Sequence, residues 1–355
     1  MKIGKSMTAA GVGALIGVSL LCSGFRFPFF HREKPVPAST TTVTQGYESV
    51  KDSVWCVTFQ LVWNDLMDKF TNGKPVQLAG GNPPIADELN KKLYTSDILS
   101  PDSYYKTQGE IKPKLKKQIE KAIYKKFKET SDVLDMIDWH VKDGYLFYAM
   151  LKKDFTFRNP FNILAAEPFA GSAENVKYFG INKDSDKKLK DNVQVLYYNE
   201  GEYAVKLLTN ENEEVILLKS DKTGDFTELY NYVNSIAKPE KMTKNDELKV
   251  PNINIDKTIS YDELCEKRIL GTNKKITKAL QTIKFKMDNK GGTLKSEAVI
   301  GIMRMSLAPE TGRHFDFNQP FVMFLKEQGK DKPYFAARID NTEFLEKGAE
   351  EDVQH

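Results

Sequence analysis

The chain has 355 residues, 40% hydrophobic and 28% charged, with 52 basic against 49 acidic side chains and a formal net charge of +3. That length supports a sizeable core in one or two domains. The near-balance of charge excludes the basic bias of a nucleic-acid-binding protein, and three cysteines exclude a disulfide scaffold.

Lys2 and Lys5 precede an apolar run, "TAAGVGALIGVSLL" (residues 8–21), followed by small Ser23 and Gly24. Residues 1–24 read as a signal peptide or, if uncleaved, as an N-terminal anchor of barely spanning length. Either reading makes the protein secreted or extracytoplasmic, and membrane-anchored in the second case. Beyond this segment only Cys56 and Cys265 remain, enough for one disulfide or for two free thiols. Residues 25–46 are rich in Pro, Ser, Thr and basic groups and read as a flexible linker. The single folded domain is expected over 47–350.

Within it, Phe59, Val62, Trp63 and Leu66 recur at helical spacing. A second helix runs from Pro113 to Glu129, with its apolar stripe on Leu115, Ile119, Ile123 and Phe127. Lysines cover the rest of it from Lys112 to Lys128, a solvated face or a site for a polyanion. Beyond Gly144 the pattern turns to β-branched and aromatic runs: "YLFYAMLKKDFTF", "VQVLYYN", "YAVKLLT", "EEVILLKS", "LKVPNINI", "TIKFKMD", "FDFNQPFVMFLKE" and "YFAARID". Helices first and strands later indicate an α+β fold around a large sheet.

No motif of a hydrolase, nucleotide-binding loop or metal site occurs, so no enzymatic activity, metal or cofactor is expected. His140, beside Trp139, reads as a packed or capping residue.

The segment "DNKGGTLKSEAVIGIMRMSL" (residues 288–307) carries two instructions. It is glycine-led, and it opens a stretch of more than about twenty residues without helical spacing, longer than ordinary connections. Yet Gly292, Leu294, Ser296, Ala298, Ile300 and Ile302 alternate with a set holding Lys295 and Glu297. As a strand, this segment buries the first set and solvates the second. A one-residue slip would bury both charges, so the register is defined.

"DNKGGT" resembles the proximal hinge of the reactive-centre loop of serpins, the serine protease inhibitor family. "RMSLAPET" (residues 304–311) resembles its scissile region, "FDFNQPFVMFLKEQ" the "FNxPFxFxI" strand, and "PYFAARIDNT" the "FxGxVxNP" ending. "LFYAMLKKDFTFRNPF" and "VPNINIDKTISYDEL" resemble two upstream strands more loosely. The chain is identified on these segments as a divergent member of that family.

The resemblance implies an α+β fold with helices around a large central sheet and further sheets, and an exposed reactive-centre loop over about 291–314. It implies a hinge at Gly291, Gly292 and Thr293, an inserted face of Leu294, Ser296, Ala298, Ile300 and Ile302, and a reactive bond at Met305–Ser306, with Arg304–Met305 the alternative. Met305 suits elastase-, chymotrypsin- or subtilisin-like serine proteases, and Arg304 suits trypsin-like ones. The loop would act as bait, be cleaved, and slide into the central sheet of a metastable monomer. The alternative is a non-inhibitory serpin-like binding or cell-envelope protein. This alternative is motivated by departures from the family pattern: Gln281 for a usual His, Phe157 for Trp, Gly292 for Thr, Leu294 for Ala. Bulky Leu294 and flexible Gly292 are expected to weaken insertion. The chain is also short between Leu264 and Gln281.

Overall fold

The computed structural model describes residues 53–293 and 312–348, together with the backbone of Val36–Pro37. In chain order the elements begin with β1 (Val36–Pro37), β2 (Val54–Cys56), α1 (Thr58–Thr71), α2 (Pro84–Asn90), β3 (Tyr104–Glu110) and α3 (Pro113–Phe127). Next come β4 (Tyr145–Leu151), β5 (Phe155–Thr156), β6 (Asn162–Pro168), β7 (Asn175–Ile181), β8 (Val193–Asn199), β9 (Glu202–Leu208) and β10 (Glu213–Lys219). Then follow α4 (Phe226–Ile236), β11 (Glu240–Lys241), β12 (Glu247–Pro251), β13 (Ile253–Ser260), β14 (Leu280–Asp288) and β15 (Gly291–Thr293). The last are β16 (His314–Asp316), β17 (Phe321–Glu327) and β18 (Phe335–Ile339).

The strands form a seven-stranded sheet ordered β11-β8-β9-β10-β17-β18-β2, a five-stranded sheet β1-β13-β14-β15-β5, a four-stranded sheet β16-β12-β7-β6, and the pair β3-β4. This is the expected α+β class. Three apolar runs that read as single strands are each divided. "LKVPNINI" breaks at Asn252 into β12 and β13, which belong to different sheets; so do β16 and β17, separated at residues 317–320. The third run breaks at 152–154, between β4 and β5. Val36–Pro37, inside the stretch read as a linker, pairs in parallel with Ile259 and Ser260.

α1 lies under β4 and buries Phe59, Trp63 and Met67, as its spacing demands. Val62 and Leu66, expected on that stripe, are only half-buried; Gln60 and Asn64 are buried instead. They are satisfied by the carbonyls of Leu89 and Tyr94, at 2.8 Å each. α3 buries Ile119 and Ile123 against Leu134, Trp139 and Tyr148, a small second core on the outer face of β3–β4. The short stretch 265–279 carries only isolated bridges, Leu78 with Ile269 and Arg268 with Lys275, in place of a regular element.

Candidate functional site

β14 pairs from Leu280 to Met287 with β13 on one side. On the other side, among the described residues, only Lys286, Met287 and Asp288 are paired, with Thr293, Gly292 and Gly291 of β15. β4, across from the rest of β14, pairs among the described residues with β3 alone. Between these two edges lies a cavity of about 400 Å³, lined among others by Phe59, Val62, Phe147, Leu151, Ile283 and Phe285. At its upper end β15 sits between β14 and β5, with Gly291 opposite Thr156 and Gly292 opposite Phe155. β14 and β5 there stand two strand spacings apart, roughly 9.6 Å, one strand's room already filled by the hinge.

Gly291 and Gly292 are required by contact. Gly291 has φ +151°, and a β-carbon on it would lie 2.2 Å from the carbonyl oxygen of Phe155. A β-carbon on Gly292 would lie 2.3 Å from the Phe155 ring. Gly292 is therefore a packed residue, a correction to its reading as a source of flexibility. The preceding turn is tied down: the Phe157 and Phe161 amides donate to the carbonyls of Lys290 and Asn289, both at 2.8 Å.

Gln281 closes the floor of the opening. Its Nε2 donates to the Cys56 carbonyl at 3.0 Å and to Thr58 Oγ1 at 2.7 Å, and its Oε1 accepts from the Tyr261 hydroxyl at 2.9 Å. One side chain thus clamps β14 to the start of α1. Above the cavity runs the connection from α3 to β4, whose residues 129–133 line it. Lys284 on β14 holds Asp132 at 3.0 Å, and Lys278 donates to the Met136 carbonyl.

At the C-terminal end of the expected loop span, Arg313 donates from Nη2 (2.6 Å), Nε (3.2 Å) and its backbone N–H (3.1 Å) to the Asp246 carboxylate. Thr243 adds its N–H at 2.6 Å and its hydroxyl at 2.8 Å. Burial alone would raise the Asp246 pKa; the Arg313 and Thr243 donors outweigh it and pull the carboxyl down to about 2.

Of the residues expected to act, Gly291 and Gly292 lie in the opening, with the backbone of Thr293 beside them. Leu294, Ser296, Ala298, Ile300, Ile302, Arg304, Met305 and Ser306 lie outside the described residues, as do residues 1–24. Cys56 and Cys265 are both free thiols, and burial raises the pKa of each. His140 is exposed, which corrects its reading as packed; Trp139 is the buried neighbour, and the His140 amide donates to Asp138. Lys112, just before α3, pairs with Glu110, and Lys116 on α3 pairs with Asp135. Among the described residues no three His, Cys, Asp or Glu side chains come together to hold a metal ion. Sequence reading noted Gln281 only as a substitution and missed Lys153, Asp246 and Arg313, whose partners are distant along the chain.

No protein-family model and no curated protein matches the chain. Its fold is similar to serpins of known structure at low identity. Serpin48 from the insect Tenebrio molitor, described as a highly specific serpin, is 11% identical over 82% of this chain and 92% of its own, with a TM-score of 0.46. Thyroxine-binding globulin in complex with thyroxine is 9% identical over 81% and 92%, with a TM-score of 0.49. A second structure of that protein, the human one, is 10% identical over 81% and 91%, with a TM-score of 0.45.

Proposed function

We propose that the chain is an exported, divergent serpin-type inhibitor of serine proteases that acts as a suicide substrate. The protease serine attacks the Met305 carbonyl, an ester forms, the peptide bond to Ser306 breaks, and the freed amine takes the proton from the protease's own histidine. Arg304–Met305 is the alternative bond, for a trypsin-like target. The released strand then enters the opening between β4 and β14. About 14 residues at roughly 3.3 Å each carry the acylated enzyme about 45 Å and distort it before water can free it.

The observation that supports this reading is an agreement of register from two sides. Continued from β15, the pairing with β14 sets Leu294 opposite Phe285, Ser296 opposite Ile283 and Ala298 opposite Gln281, three buried positions. The pairing with β5, continued through a straightened 152–154 into β4, sets Ser296 opposite Leu151 and Ala298 opposite Ala149, which pack on the main core. On this reading both edges would take into the interior the same alternate residues that the sequence pattern marks as apolar.

The test mixes the purified protein with elastase-, chymotrypsin-, subtilisin- and trypsin-like enzymes and resolves the products on a denaturing gel. A covalent complex surviving detergent is expected. Clean cleavage near Met305 with no complex would overturn inhibition. It would favour the second reading, a non-inhibitory binding protein, which the break at 152–154 in the receiving edge supports.

A further inference from the structure

Glu213 on β10 and Glu327 on β17 are direct cross-strand partners, and both are buried. Two carboxylates so placed repel each other in a medium that screens weakly. A single cation answers both: Lys153, from the break between β4 and β5, donates to Glu213 Oε1 at 2.6 Å and to Glu327 Oε1. The Tyr334 hydroxyl donates to Glu213 Oε2 at 2.7 Å. The Ser100 amide and hydroxyl donate to Glu327, with Ser103 Oγ at 3.4 Å. The titratable groups facing the cluster are thus Lys153 from the β4–β5 link, Tyr334 before β18, and the Cys56 thiol of β2 beyond Tyr334. With both carboxyls ionised and Lys153 protonated, the cluster would carry one net negative charge. Lys153 and Tyr334 also line the cavity between β4 and β14.

Lys153 therefore fastens the receiving edge of the opening to the seven-stranded sheet, at the point where that edge stops being a strand. We infer that Lys153, Glu213 and Glu327 form an acid-released catch that holds residues 152–154 out of line with β4 and β5. This inference rests on the insertion reading for its purpose but not for its chemistry. Withdrawing Lys153 leaves two buried glutamates facing each other without a cation, so at least one must take up a proton. The withdrawn state then binds more protons than the fastened one, and falling pH favours it. Burial already raises the Glu213 pKa in the fastened state, and the Glu327 charge adds to this.

The test is amide hydrogen exchange in peptides spanning 150–157 of the full chain, corrected for intrinsic rate, between pH 7.5 and pH 5.0. Uptake of one proton on opening predicts a rise of about tenfold over this range, against a ceiling of tenfold per pH unit. Glu213→Gln should weaken that rise. The charge-balanced pair Lys153→Met with Glu213→Gln should exchange faster at neutral pH and abolish the rise. The pair leaves Glu327 with its Ser100 donors, so it keeps a folded reference where Lys153→Met alone fails to fold. Flat corrected exchange in the unaltered protein, or equal slopes in it and the paired variant, overturns the catch. Cleavage of the loop separates the two ideas. If the pH-dependent exchange holds while cleavage leaves the melting temperature unchanged, the catch stands and loop insertion fails.

Discussion

The ring of Phe155 fills the space a β-carbon on Gly292 would need, so β15 fits undistorted between β5 and β14 with glycine at 292. Gly292→Ala must move a buried aromatic ring or expel the hinge, a change of about 1–3 kcal/mol. The expected result is a lower melting temperature for the intact protein and slower insertion after cleavage, read by thermal unfolding and a cleavage time course. An unchanged melting temperature would show that β15 is not seated there.

Gln281 satisfies three groups at once: the Cys56 carbonyl, the Thr58 hydroxyl and the Tyr261 hydroxyl. Gln281→Ala strands them under the opening and should cost about 2–3 kcal/mol in a denaturant titration. Gln281→His puts a titrating group in a buried place. Burial depresses an imidazole pKa, so the unfolded chain takes the proton first. Stability of that variant should fall as pH drops below about 6.5, a loss this position cannot produce while it is Gln.

Asp246 anchors the distal end of the loop through Arg313. Its folded pKa, about 2, lies below the ordinary carboxylate value, so its contribution is present above about pH 4 and is lost as pH falls through 2. Asp246→Asn should cost about 2 kcal/mol at neutral pH, and the difference from the unaltered protein should vanish toward pH 2. A constant difference across that range would mean that packing, not charge, sets its role.

Lys284 and Asp132 tie the α3–β4 connection across the cavity, and both are about half-exposed. Lys284→Ala should leave equilibrium stability within about 0.5 kcal/mol yet speed insertion after cleavage by roughly two- to fivefold. Stopped cleavage with timed heat challenge reads that rate. No acceleration would remove the connection from the entry path.

β14 could be read from sequence because its residues alternate between buried and solvent-facing positions, and β10 and β17 because they are nearly continuous buried apolar runs. β3 and β6 could not: β3 has no fully buried position, and β6 has an exposed pattern with Ile163 half in solvent. α4 carried its own signal, Asp225 with Glu228 as a capping box ahead of Phe226, Leu229, Tyr230 and Val233, and this signal was overlooked. The glycine pair at 291 and 292 was legible because it is local. The clamp at Gln281 and the Lys153 cluster were not, since Gln281 meets Cys56 across 225 positions and Lys153 meets Glu327 across 174. Only the assembled sheets bring such residues together.

Cutting the chain at the proposed reactive bond with a catalytic amount of protease, then comparing melting temperatures of intact and nicked chains, addresses the central claim most directly. Burying Leu294, Ile300 and Ile302 and pairing both edges predicts a rise of more than about 10 °C. A nicked chain that melts with the intact one, or below it, would contradict the account.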